Sequence, residues 1–121
     1  ILVLEDNEAV REILGEMLPS LGYRPVFVAD GRDAVALYRR ARAGGAPFAA
    51  VVLDLTIPGG MGGEQTMAEL RRLDPEVRAI AASGYANDPV MAHRERYGFK
   101  AALPKPFTRA DLGKALQEAI G

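Results

Sequence analysis

The stretch Val51-Val52-Leu53-Asp54-Leu55-Thr56-Ile57-Pro58-Gly59-Gly60 limits the choice of fold more than any other in the chain. An apolar run over residues 49–53, without polar alternation, ends in a carboxylate. A turn containing Pro and Gly follows at once. Such a run suits a strand buried on both faces, as in the middle of a parallel sheet. An acid at its C-terminal end lies where open α/β sheets place their ligands. Taken alone, Asp54 reads equally well as a loop aspartate capping the next helix.

The rest of the chain repeats this alternation. Residues 1–4 form an apolar run ending in Glu5-Asp6-Asn7, where Asp6 or Asn7 can cap a helix. Val10, Ile13, Leu14, Met17, Leu18 and Leu21 recur at helical spacing, with Pro19 expected to bend or end that helix early and Gly22 to stop it. A second strand is expected over 25–29. Asp30 then caps a helix over about 31–43, with Ala34, Val35, Leu37, Tyr38 and Ala41 inward. A helix over about 63–73 turns Met67, Leu70 and Leu73 inward. The fourth strand, 77–82, ends at Ser83-Gly84, and Asn87-Asp88-Pro89 opens a helix running to about Tyr97 and stopping at Gly98. Residues 99–103 form the fifth strand, which Pro104-Lys105-Pro106 cannot continue. Thr108 and Asp111 resemble a capping box, opening a last helix that carries Leu112, Leu116, Ala119 and Ile120. Strand and helix alternate five times with short connections. The expected fold is α/β: a doubly wound, five-stranded parallel sheet with right-handed crossovers and helices on both faces.

At 121 residues the chain is one domain, long enough for a self-sufficient core. A net charge of −1 gives no basic excess for binding nucleic acid through phosphates. With no Cys, disulfide and thiol chemistry are excluded. No apolar run approaches the roughly 18 residues of a membrane span, so no membrane contact is expected of this domain. The chain begins at Ile1, directly in a strand-like run, and reads as residues 1–121 of a longer protein.

In a parallel sheet the strand C-termini share one edge. Glu5 and Asp6 follow the first strand, Asp54 ends the third, Ser83 ends the fourth, and Lys105 lies just past the fifth. Individually these have plain readings: a helix N-terminus for Glu5-Asp6, a turn for Ser83, a surface position for Lys105. Jointly they place three carboxylates, a hydroxyl and an ammonium on one edge. The chain has 12 Arg and only three Lys, so a Lys between two prolines is less casual than most. Clustered carboxylates repel unless a cation joins them, and hard oxygen ligands without His or Cys suit Mg²⁺. Lys binds phosphate as a point charge. Such a set is built for a doubly charged tetrahedral group on or beside a carboxylate, itself a known phosphoryl nucleophile.

These residues, in this order and at this spacing, resemble the receiver domain of two-component signalling over essentially the whole chain. The resemblance implies a flavodoxin-like strand order, 2-1-3-4-5. It implies that Asp54 accepts a phosphoryl group from a phosphohistidine of a histidine kinase or histidine phosphotransfer domain. Mg²⁺ would be bound by Asp6, Asp54 and the Thr56 backbone carbonyl, with Glu5 acting through water. Ser83 and Lys105 would hold the phosphoryl oxygens, and Lys105-Pro106 would be a cis peptide. Gly84, Tyr85 and Ala102 would be tuning positions, Tyr85 for phosphoryl lifetime. The chain would be cytoplasmic, with self-phosphorylation and self-dephosphorylation as its only catalysis. The segments 54–63 and 83–91 are similar to receivers of hybrid sensor histidine kinases.

Three departures stand out. The acidic pair is Glu-Asp rather than Asp-Asp. The turn after Asp54 is one residue longer than usual and richer in Gly. The position of the family's switch aromatic is Ala102, and Tyr97 and Phe99 are wrongly placed to replace it. Other readings weighed are an aspartate-nucleophile phosphatase of the haloacid dehalogenase type, a flavodoxin-like electron carrier, and a degenerate receiver used for docking. The phosphatase wants a second Asp where Thr56 stands, and Glu5-Asp6-Asn7-Glu8 would repel a flavin phosphate. His93, the only His, reads as a surface residue, and Arg39, Arg40, Arg42, Arg71 and Arg72 as solvated faces.

Overall fold

In a computed structural model the chain runs β1 (Leu2–Leu4), α1 (Glu8–Ser20), β2 (Val26–Val28), α2 (Gly31–Ala43), β3 (Val51–Asp54), α3 (Gly63–Leu73), β4 (Ala79–Ser83), α4 (Pro89–Ala92), a 3-10 turn (Arg94–Tyr97), β5 (Ala101–Pro104) and α5 (Arg109–Ile120). The structure describes residues 1–56, 61–84 and 88–121. All strand pairs are parallel, in the order β2-β1-β3-β4-β5, as expected.

Period-two alternation along the strands divides the core. Val3, Val52, Ile80, Ala82, Ala101 and Leu103 face α1 and α5, against Leu14, Leu18, Leu112 and Leu116. Leu2, Leu4, Val51, Leu53, Ala79 and Ala81 face the other way, against Ala34, Tyr38, Met67 and Leu70 of α2 and α3. Both faces of β1, β3 and β4 are buried, which explains why these strands carry apolar runs rather than alternating ones.

The helices start where the sequence places caps. Asn7 Oδ1 accepts from the Val10 amide, Asp30 from Arg32 and Asp88 from Val90. Thr108 and Asp111 form a reciprocal capping box. Pro19 is a correction: α1 continues through it to Ser20. It sits in the last turn, where its missing N–H removes a single bond, and the helix end is closed by Leu21, Gly22 and Tyr23, whose amides donate to the Met17, Leu18 and Pro19 carbonyls. Ile13 is another, 46 % exposed despite its periodic position. It lies roughly 100° around the helix from buried Leu14, outside the arc that meets the sheet.

The expected fourth helix is broken. Four residues of α4 lead to His93, whose backbone leaves the helical region (φ −120, ψ 38), and a 3-10 turn completes the segment. His93 to Arg96 are all polar, and the packed apolar residues are Val90, Met91 and Tyr97 at the ends. No continuous apolar stripe therefore holds a longer helix against the sheet. Gly98, at φ +87, ends the turn in the left-handed region. Arg71 lies over it and donates to the Arg96 carbonyl, while Arg42 donates to the Leu73 carbonyl. All five arginines, Arg39, Arg40, Arg42, Arg71 and Arg72, are exposed as expected, and Arg42 and Arg71 in addition tie elements together.

Candidate functional site

The strand alternation that builds the α1–α5 core also builds the site. Glu5, Asp54 and Lys105 each lie two residues beyond a core residue of that face: Val3, Val52 and Leu103. Ladder bonding continues past the strand ends, from the Glu5 amide to Val28 O (3.0 Å) and from the Lys105 amide to Ser83 O (2.8 Å). Side chains from three strand ends therefore emerge together. Lys105 Nζ donates to Glu5 Oε1 at 2.7 Å and lies 3.4 Å from Asp54 Oδ2. The Lys105–Pro106 peptide is cis.

Asp54 is 3 % exposed and Glu5 2 %, while Asp6 is open to solvent. One carboxylate oxygen of each of the three lies within 4.8 Å of the others. Asp54 Oδ1 accepts from the Thr56 amide (3.0 Å) and the Thr56 hydroxyl (2.8 Å). The hydroxyl contact was not legible in the sequence, because it depends on how the turn after β3 folds back. Close packing supports that turn: a Cβ on Gly63 would stand 2.6 Å from the Asp54 carbonyl oxygen, so only Gly fits there without a shift.

The two buried carboxylates respond to opposing forces. Burial pushes the Glu5 carboxyl above its ordinary range, and neighbouring Asp54 adds to this, against the hydrogen bond from Lys105. Burial acts the same way on Asp54. There it is outweighed by the bonds from the Thr56 amide, Glu5 and the Thr56 hydroxyl and by the Lys105 charge, so its carboxyl lies below the ordinary value. Thr56 and Lys105 thus favour the ionised form of Asp54, the form in which a carboxylate is a nucleophile.

Of the other expected site residues, Ser83 is buried at the end of β4, next to Ala82, the register partner of Asp54. Gly84 is exposed, and among the described residues nothing lies within 4 Å of where a Cβ would be. Ala102 pairs with Ala81 and borders a cavity of about 360 Å³ with Arg94, Pro104, Pro106 and Lys114. Phe99 is fully buried in the α2–α3 core and cannot serve as a mobile aromatic at that place. Tyr85 lies outside the described residues, as do residues 57–60 of the glycine-rich turn. Where the described chain resumes, Met61 O accepts from the Gly31 amide at 3.0 Å, joining Met61 to the start of α2. Arg11 also reaches the site, donating through Nε to the Glu5 carbonyl at 2.6 Å; its place one turn past the Asn7 cap was the only sequence signal for this.

The donor set fits a hard divalent cation. Three carboxylates converge from two strand ends, one is solvent-accessible for a hydrated ion, and no soft ligand is present among them. An ammonium already partly neutralises the two buried ones.

Comparison with known proteins is consistent across sequence and structure. The family model described as the response regulator receiver domain matches residues 1–117. A response regulator receiver protein of Anaeromyxobacter sp. is 34% identical over 105 residues, covering 87% of this chain and 42% of that protein. The sensor kinase CckA of Brucella abortus is 32% identical over 123 residues, covering 99% of this chain and 12% of the kinase. The chain thus spans less than half the length of these two relatives. Among solved structures, the receiver domain of a sensor histidine kinase from Pseudomonas aeruginosa, with a magnesium ion coordinated in its active site cleft, superposes with a TM-score of 0.84 at 34% identity, covering 99% of this chain and 95% of that one.

Proposed function

The chain belongs to the response regulator receiver domain family, and from that premise we propose that it is the phosphoacceptor module of a two-component phosphorelay. Asp54 takes a phosphoryl group from the phosphohistidine of a histidine kinase or histidine phosphotransfer domain. A carboxylate oxygen forms the new bond to phosphorus as the bond to the imidazole nitrogen breaks, and the imidazole leaves with the electron pair. The observation that carries this reading is the contact set around Asp54: a buried carboxyl held by Thr56, with Glu5, Asp6 and Lys105 converging on it.

Asp6, Asp54 and the Thr56 carbonyl would hold Mg²⁺, with Glu5 acting through water. The ion would supply positive charge between carboxylates and phosphoryl oxygens that otherwise repel. Lys105 and Ser83 would hold the phosphoryl oxygens not facing the metal. Lys105 is poised for this, since its present partners are the carboxylates that a metal would neutralise. The similarity to sensor kinases supports an origin in a hybrid kinase, with residues 1–121 as one cytoplasmic domain of a longer chain. Phosphorylation then changes binding to a partner or flanking domain. Docking without phosphorylation is a second reading, favoured by one observation: Ala102 leaves a cavity on the outer side of β5 where the switch aromatic is expected.

Transfer of label from a phosphorylated histidine phosphotransfer protein tests the proposal. Label moves to the chain in Mg²⁺ and stays on the donor in excess EDTA. Failure with every histidine or acyl phosphate donor overturns it.

A further inference from the structure

Glu5 is held at every polar group. Its amide donates to Val28 O at 3.0 Å, Oε1 accepts from Lys105 at 2.7 Å and Oε2 from the Asn7 amide at 3.2 Å. The remaining group, its carbonyl, accepts from Arg11 Nε at 2.6 Å. That carbonyl belongs to the peptide joining Glu5 to Asp6, so the bond fixes the plane from which Asp6 departs. Among the described residues no side chain holds the Asp6 carboxylate, which is exposed. Its position within the acidic cluster therefore depends on the backbone before it.

Arg11 has a second partner. Its guanidinium carbon stands 5.8 Å from the centre of the Phe27 ring on β2, a cation–π distance. Phe27 packs against the α1–α5 core and touches the Gly15 position on α1. The planar guanidinium is thus clamped between an aromatic face and a carbonyl, a geometry a lysine ammonium reproduces only in part.

We infer that Arg11 is a positioning residue that sets the Glu5–Asp6 peptide and, through it, the grip of the acidic cluster on a divalent cation. This rests on the metal-dependent phosphoacceptor reading of the same site. A merely structural role, a surface Arg stapling α1 to β2, would lower stability but leave metal affinity in step with it.

The test measures Mg²⁺ dissociation constants of the 121-residue chain by amide chemical-shift titration, alongside thermal midpoints and the metal-free ¹⁵N shift of Asp6. Outer groups that orient metal ligands typically change affinity tenfold or more, so Arg11→Met should raise the dissociation constant about tenfold. The Asp6 amide nitrogen, bonded to the carbonyl that loses its donor, should shift in the absence of metal, and the midpoint should stay near that of the parent. Arg11→Lys should recover part of the affinity. Phe27→Leu, which removes the ring but not the hydrogen bond, should weaken binding less than Arg11→Met. A dissociation constant for Arg11→Met within about twofold of the parent overturns the inference. So does a loss of affinity that only follows the midpoint and that Lys does not restore. If the parent binds no Mg²⁺, the phosphoacceptor reading itself falls, and the role of Arg11 with it.

Discussion

Lys105 Nζ lies 2.7 Å from Glu5 Oε1, joining the ends of β5 and β1 across 100 positions of sequence. The contact exists because both side chains continue the same face of the sheet past its edge. It gives a buried carboxylate a cation, and it places that cation 3.4 Å from Asp54.

Replacing Lys105 by Met should therefore leave two buried carboxylates facing each other. In metal-free protein at pH 7 the loss should be about 1–3 kcal/mol, the cost of unpairing a buried charged group. The sign with pH follows from Glu5, whose carboxyl is raised by burial. A raised carboxyl is penalised when ionised, so the deficit is present above its folded value and shrinks as pH falls through it. Urea unfolding midpoints of parent and variant across the acidic range check this; a gap that widens on acidification contradicts it.

Gly63→Ala should destabilise by about 1–3 kcal/mol, although Ala is the better helix former. The new Cβ would stand 2.6 Å from the Asp54 carbonyl oxygen and 3.0 Å from Leu55 Cδ2. The backbone of the phosphoacceptor must move to admit it, so phosphorylation by a small acyl phosphate should slow more than stability alone explains. Stopped-time intact mass spectra give the rate.

Ala102→Tyr should be accommodated. The position opens onto a cavity of about 360 Å³ rather than a packed core, and Tyr favours strands over Ala. The change in stability should stay within about 1 kcal/mol, unlike overpacking in an interior. A large fall in thermal midpoint would show that the cavity cannot take the ring.

Tyr38→Phe probes the opposite end of the molecule. Tyr38 Oη donates to Asp74 Oδ2 at 2.7 Å, and this bond is the main cause of the lowered Asp74 carboxyl, with burial opposing it. A depressed carboxyl contributes stability above the ordinary value of 3.8, lost as pH falls through the folded value. The variant should be about 1 kcal/mol less stable at pH 7, with the gap closing at low pH. Thermal midpoints at both pH values decide it.

The parallel sheet and the strand ends were legible because they follow from period alone. Glu5, Asp6, Asp54, Ser83 and Lys105 could be placed on one edge once the alternation of strand and helix was recognised. Caps at Asn7, Asp30, Asp88 and Thr108 were legible because their bonds are local. What the sequence hid depends on distant packing. Ile13 shares the apolar period of α1, but the arc covered by the sheet is narrower than the stripe. The break at His93 reflects too little apolar surface to hold one unbroken helix from Pro89 to Tyr97 against the sheet. Arg11 acts through a backbone carbonyl and a ring on another strand, and neither leaves a pattern along the chain. Within the site, the acids and Lys105 were readable as residue types, whereas the Thr56 hydroxyl on Asp54 required the fold of the turn.

Intact mass of the parent chain and of Asp54→Asn, each incubated with a small acyl phosphate and Mg²⁺, tests the central claim most directly. The variant should fold as the parent does, since it removes one of three crowded carboxylates. The expected result is the mass of one added phosphoryl group on the parent, absent when Mg²⁺ is chelated and absent from Asp54→Asn throughout. The same adduct persisting in Asp54→Asn, or none on the parent with any donor, would contradict Asp54 as the phosphoacceptor.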